Sequence, residues 1–375
     1  MSKEFIRLSK SCLNHKEIES VTKVLTSEFL GMGQEVGKFE EMLTDFFGRP
    51  ALCVSSGTSA LHLALQAIGV GPGDEVLVQS LTYVASFQAI SAVGAVPIAC
   101  DVDLKTLCID LNDAEKLITP RTKAIMPVHY SGGVGSLENV YDFSDRYGLR
   151  VIEDAAHAFG SLYKKKRVGG FGDIACFSFD GIKNITSGEG GCIVTSDIDV
   201  LKKVSDARLL GVERDAEKRL LRERSWDFDV SAQGWRYHMS DIMAAIGIEQ
   251  LKKFPKFAKK RQELAKLYDY YFLNTDIKFI KHDYTKVVPH IYTVKIPNNI
   301  NRDMIKNCLE KKGVQTGVHY QPNHTLSLYK NEVKKEVTDR LFKSILTLPL
   351  HPDLDKRDIE YISESLISLI QLKEN

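Results

Sequence analysis

Short apolar, β-branched runs recur at 51–54, 75–78, 96–99, 124–128, 150–152, 174–179 and 192–195, and each predicts a strand. Between them, 59–68, 84–93 and 137–147 carry apolar residues at helical spacing. Strands that alternate with amphipathic helices build a mainly parallel sheet, since each parallel crossover must return through a connection long enough to hold a helix. The expectation is an α/β protein with a seven-stranded, mainly parallel sheet covered on both faces.

The strand rhythm stops after Asp197. A charged helical zone runs to Phe254 through ARLLGVERDAEKRLLRERSW and MSDIMAAIGIEQLKKF. Its charge-rich stretch 213–224 reads as a solvated helical face. Pro255 is the expected stop of the preceding helix, which sets a large domain at 1–254 and a smaller C-terminal α/β domain at 255–375. The smaller unit is expected to hold a helix at 258–272, strands at 291–296 and 314–320, and a final helix at 358–372.

Charge narrows the classes of partner. Fifty Lys and Arg stand against 49 Asp and Glu, a net charge of +1, so no global field gathers nucleic acid or an anionic membrane surface. The longest apolar stretch, 91–100, is about half the length that crosses a bilayer, and the charged start MSKEFIRLSK leads into no apolar run. A cytoplasmic location is expected. Seven scattered cysteines without a C-x-x-C pair suggest neither a disulfide framework nor a zinc site, and no metal is expected.

Several enzyme classes drop out by motif. Gly31-Met-Gly33-Gln-Glu-Val-Gly37 has the wrong glycine spacing for a dinucleotide loop and follows no buried strand. The chain also has no G-x-x-x-x-G-K-[ST], H-E-x-x-H or G-x-S-x-G.

Three segments carry chemistry. ALCVSSGTSALHLALQAIG passes from a strand through Ser55-Ser56-Gly57-Thr58-Ser59 into a helix. Such a junction offers an anion free amides, hydroxyls and a helix dipole, although helix capping alone would use the same residues. VIEDAAHAFG ends a strand in Glu153-Asp154 with His157 one turn on, at the rim where parallel sheets bind ligands. In DIACFSFDGIKNITSGEGG, Ser178 lies near a strand end and Lys183 stands between an apolar strand and a glycine-rich turn. A lysine against apolar walls can lose its proton and act as a nucleophilic amine. An anion cradle, such a lysine, a carboxylate and an aromatic ring from Tyr83 are together what pyridoxal 5'-phosphate requires.

SSGTSALHLAL, EVLVQSLTYVAS, VIEDAAHAFGS, FSFDGIKNITSGEGG, GWRYHMSDIMAAIGIEQL and LPLHPDL together resemble the DegT/StrS-type nucleotide-sugar aminotransferases. The resemblance implies the fold type I, aspartate aminotransferase-like architecture and a homodimer with active sites at the subunit interface. It implies pyridoxal 5'-phosphate bonded to Lys183, which also shuttles protons, with Asp154 on the pyridine nitrogen, Tyr83 over the ring and His157 at its edge. Gly57, Thr58, Ser59 and Ser178 would hold the phosphate, together with the partner's residue at position 236, an arginine where the family often has asparagine. VHYQPNH resembles the substrate-facing segment, which makes His319, Tyr320 and His324 substrate candidates.

The expected reaction moves an amino group from L-glutamate to a nucleotide-linked keto-sugar, at C4 of a 4-keto-6-deoxyhexose, for O-antigen, capsule or related glycan synthesis. The C4 reading rests on the similarity of the SGEGG loop to that of C4-directed members. The alternatives are amination at C3, a dehydratase of the same scaffold, which typically carries histidine at the lysine position, and a cofactor-free regulatory protein.

Overall fold

In the computed structural model, which describes residues 5–213, 215–223, 226–330 and 333–374, the seven expected strands form one sheet. They are β1 (Ala51–Val54), β2 (Glu75–Gln79), β3 (Val96–Cys100), β4 (Thr122–Met126), β5 (Arg150–Asp154), β6 (Ile174–Ser178) and β7 (Gly191–Thr195), in the spatial order β1-β7-β6-β5-β4-β2-β3. Only β7 runs against the others: it pairs antiparallel with β1, Cys53 opposite Cys192, and with β6, Phe177 opposite Cys192. The other pairings are parallel, so six strands end at the same edge.

Helices cover both faces. The early helices are α1 (His15–Ser27), α2 (Gln34–Phe47), α3 (Gly57–Ala67) and α4 (Val84–Ala92), and a long α5 spans Asp241–Phe272. On one face Phe39, Leu43 and Phe47 of α2 and Ile248, Leu251 and Phe254 of α5 pack with Phe177 and Val194. On the other, Leu61, Leu65, Phe87 and Ile90 pack with Val78, Ile152 and Cys176.

The glycines at 31–37 have a structural task. Gly33 caps α2, and its N–H and that of Val36 donate to Asp241 Oδ1 at 2.9 and 3.0 Å. A carboxylate from the start of α5 thus satisfies the open amides of α2, where the helix dipole favours negative charge.

Three expectations need correction. Pro255 does not stop a helix but lies inside α5. It sits at an exposed position, and it removes one N–H from the helix ladder without ending it. Residues 314–320 form no strand: Gln315 N–H donates to Ile6, and Gly317 exchanges both backbone bonds with Thr347 before the chain turns off. The backbone is satisfied by the chain's N-terminal segment and one bridge, so no ladder extends. The smaller sheet instead joins β8 (Lys278–Phe279), β9 (Tyr292–Lys295) and β10 (Ile345–Leu348), all antiparallel. In the stretch 213–224, Arg214 and Arg224 lie outside the described residues; Asp215–Leu220 is helical, with Asp215 and Ala216 buried rather than solvated.

Gly160 fixes one close approach. Its φ is +85°, and a Cβ there would lie 1.9 Å from Phe254 Cζ. Gly160→Ala is expected to destabilise the protein by about 2 kcal/mol or more, from strain plus overpacking, read as a lowered unfolding temperature. An unchanged transition would mean that the Phe254 ring swings aside at no cost.

Candidate active site

A cavity of about 430 Å³ opens at the edge where the parallel strands end. Gly57 and Thr58 follow β1, Thr82 and Tyr83 follow β2, Val128 follows β4, Asp154 and His157 close β5, and Ser178 and Lys183 close β6. His319 and Tyr320 reach in from the smaller unit. Segments far apart in sequence converge because each leaves the same side of one sheet.

One end is built for an anion. Ser56 Oγ accepts from Ser59 N–H at 3.0 Å, and Ser59 Oγ accepts from Ser56 N–H at 2.9 Å, a reciprocal box that starts α3. The N–H groups of Gly57 and Thr58, in the first turn, have no intrahelical acceptor. Gly57 lets this helix end close on β6, since a Cβ would lie 2.8 Å from Ser178 Cβ and 3.2 Å from its Oγ. Amides, the Thr58 and Ser178 hydroxyls and the helix dipole thereby surround one small space. Ser59 is buried and spends its hydroxyl on the box, so it shapes the cradle without lining the cavity.

Asp154 is buried at the end of β5. Its Oδ2 accepts from Ser86 Oγ at 2.7 Å and its Oδ1 from Ala156 N–H at 3.2 Å. Ser86, on α4, is in turn 3.1 Å from Thr82 Oγ1, so a side chain that is itself held fixes the carboxylate's orientation. Tyr83 precedes α4 with 61% of its surface exposed, its ring centroid 5.7 Å from that of Tyr320.

Lys183 is half-buried on the turn after β6. Removal from bulk water lowers its pKa, against the opposing pull of Asp154 and Asp180. Its Nζ lies 3.5 Å from His290 Nε2, and the His290 ring is 4.5 Å from that of His157. Burial also lowers the pKa of His157, with Lys183 and His319 adding to the shift, and His157 Nε2 lies 2.8 Å from Tyr320 OH. His319 is pushed down to about 4 by burial and then by Lys183, and its Nδ1 lies 2.9 Å from Thr347 Oγ1.

The structure thus brings together Gly57, Thr58, Tyr83, Asp154, His157, Ser178, Lys183, His319 and Tyr320. Besides Ser59, two expected residues stand outside the cavity lining. Arg236 is exposed and bridges to Leu209, away from the cavity of its own chain. His324 was expected to face substrate; instead its Nδ1 lies 2.7 Å from Ser80 Oγ and its Nε2 3.1 Å from Asp339, so both ring nitrogens are engaged. Sequence reasoning missed Ser86, one turn into TYVAS, and His290, which reaches Lys183 from 107 positions further along.

The residues fit pyridoxal phosphate. A cradle that a Cβ at 57 would fill, an oriented carboxylate and a lysine beside them supply a phosphate site, a partner for a ring nitrogen and an amine.

The chain resembles known proteins over nearly its whole length. Residues 11–367 match the model of the DegT/DnrJ/EryC1/StrS aminotransferase family. The spore coat polysaccharide biosynthesis protein SpsC of Bacillus subtilis is 33% identical over 98% of this chain and 97% of its own. The aminotransferase TlmJ of Streptoalloteichus hindustanus superposes with a TM-score of 0.91 at 30% identity, covering 99% of this chain and all of its own. The PLP form of the putative sugar aminotransferase Spr1654 of Streptococcus pneumoniae gives 0.91 at 28% identity over 98% and 99% of the two chains.

Proposed function

The chain belongs to the DegT/DnrJ/EryC1/StrS aminotransferase family, a pyridoxal-phosphate-dependent sugar aminotransferase, and on that premise we propose its substrates and the roles of its residues. The observation that carries the assignment of roles is the convergence of the anion cradle, Asp154 and Lys183 on one cavity. The amino group comes from L-glutamate and goes to C4 of a nucleotide-linked 4-keto-6-deoxyhexose, and the product enters glycan synthesis. The SGEGG stretch after Lys183, with Glu189 lining the cavity, supports the C4 reading; the name of SpsC supports the glycan. A dehydratase of this scaffold is disfavoured by lysine at position 183.

Pyridoxal phosphate, when bound, supplies the electron sink that such a transfer needs. The N–H groups of Gly57 and Thr58 and the hydroxyls of Thr58 and Ser178 hold its phosphate, over the turn that Ser59 fixes. Asp154 would keep a proton on the ring nitrogen, Tyr83 would cover one ring face and His157 would border it. Lys183 Nζ would hold the cofactor at rest and, when free of it, would move protons at the donor and sugar carbons. Its lowered pKa favours the neutral amine that this task requires. His319 and Tyr320 border the sugar. Residues 1–254 and 255–375 act as two units, the enzyme works in the cytoplasm as a homodimer, and Arg236 reaches the partner's phosphate. Among the described residues, no helix is long and apolar enough to cross a membrane.

A panel of UDP-, dTDP- and GDP-linked 3-keto and 4-keto sugars incubated with L-glutamate tests the substrate reading. The expected product is slightly heavier, having lost the keto oxygen and gained the elements of ammonia, with nitrogen at C4. Nitrogen at C3, or loss of a hydroxyl, would replace the reading.

A further inference from the structure

His290 lies just before β9, and both its backbone groups are tied down. Its N–H donates to Ser131 at 3.3 Å, and its carbonyl accepts from Arg261 Nη1 at 3.1 Å. Arg261 is itself buried on α5 and also holds the carbonyl of Leu350 at 3.1 Å, so a helix shared by both units aims this short segment. The residue is 4% exposed. Among the described residues, its Nε2 is the hydrogen-bond partner of Lys183 Nζ, and its Nδ1 has none.

We propose that His290 is the positioning residue for Lys183, holding its amine in place through Nε2 during the part of the cycle in which the lysine does not carry the cofactor. The proposal rests on Lys183 being the cofactor lysine. A long flexible side chain released from its bond gains several rotatable angles, and a fixed partner on the far wall limits where Nζ can go. The imidazole suits a lysine that alternates between ammonium and amine, since a neutral ring can accept from one and donate to the other.

The groups around the ring keep it neutral. Lys183, His157, Arg261 and His319 face His290, and burial followed by these neighbours places its pKa well below the ordinary range. Asp154 and Asp180 attract Lys183 but do not displace His290 as its contact. At neutral pH the lysine therefore meets a polar acceptor without meeting another cation.

The test uses the loaded enzyme and two polar variants. His290→Gln places an amide near the position of Nε2; His290→Asn stops near Nδ1 and falls short of Lys183. Borohydride reduction with peptide mapping comes first. Cofactor on a lysine other than Lys183 would overturn the assignment of Lys183, and this proposal with it. L-glutamate then converts each protein to the amine form of the cofactor, which frees Lys183. Its labelling by trinitrobenzenesulfonate is followed from pH 6 to 10, beside the single-turnover rate with glutamate. Losing an acceptor for the ammonium is expected to lower the apparent pKa of Lys183 in His290→Asn by about one unit and to slow the turnover roughly tenfold. His290→Gln is expected to keep both within about threefold of wild type, as a positional hydrogen bond requires. Cofactor on Lys183 with matching Asn and Gln profiles, or with a wild-type profile in Asn, would overturn the role of His290 and leave the assignment of Lys183 standing.

Discussion

Asp154→Asn is expected to fold normally, bind cofactor and lose roughly 10²-fold or more of its transamination rate. The amide occupies the space of the carboxylate, and Ser86 can turn its hydrogen toward Thr82 Oγ1, 3.1 Å away, so the hydrogen-bond network survives. What disappears is the negative charge that keeps a ring nitrogen protonated, and a few kcal/mol lost there corresponds to that change in rate. A second readout is independent of turnover. Asp154 raises the pKa of Lys183, so its removal should move the lysine limb of the pH–rate profile to lower pH. The sign follows from charge: without the nearby anion the ammonium is less stable and gives up its proton earlier. Near-normal single-turnover rates with L-glutamate would reduce Asp154 to an acceptor for the Ala156 amide.

Lys183→Ala should be more damaging, by roughly 10³-fold or more, since in its proposed role it is both the proton-moving group and the cofactor's anchor. Arg236→Ala should weaken cofactor binding by about one to two orders of magnitude, the worth of one charge-assisted contact of roughly 1.5–3 kcal/mol. Arg236 lies outside the cavity of its own chain, so the two variants also test the subunit arrangement. Mixed Lys183→Ala and Arg236→Ala subunits should regain activity, because one of the two sites then draws lysine and arginine from the unmutated positions. If exchanged dimers stay as poor as their parents while Arg236→Ala alone is impaired, Arg236 serves its own subunit.

The large sheet was legible because its strands are short, apolar and regularly interrupted. Even so, the run expected at 124–128 pairs as Thr122–Met126, because Pro127 has no N–H to give the ladder, and Val128 rejoins it only through a single parallel bridge to Asp154. In the smaller unit, β8 and β10 carry weak period-two signals, and their identity as strands depends on β9 lying between them. The site divided the same way. Lys183, Asp154 and the Gly57-Thr58 turn announce themselves by standing at strand ends. Ser59 could have been separated from them, since Ser56 three positions earlier already marks a capping box. His290 carries no local signal, because its meeting with Lys183 is made by the packing of one unit on the other.

The helix that runs uninterrupted through Pro255 ties the fates of two cores together. Its first half gives Ile248, Leu251 and Phe254 to the core under the large sheet, and its second half gives Leu264, Tyr268 and Phe272 to the core of the smaller unit. Over 32 residues, about 48 Å at 1.5 Å per residue, no loop separates the two contributions. Fraying the helix at either core weakens a rod on which the other packs, which couples the stability of the two cores. The same rod carries Arg261, which holds the His290 carbonyl, so the wall facing Lys183 depends on it too.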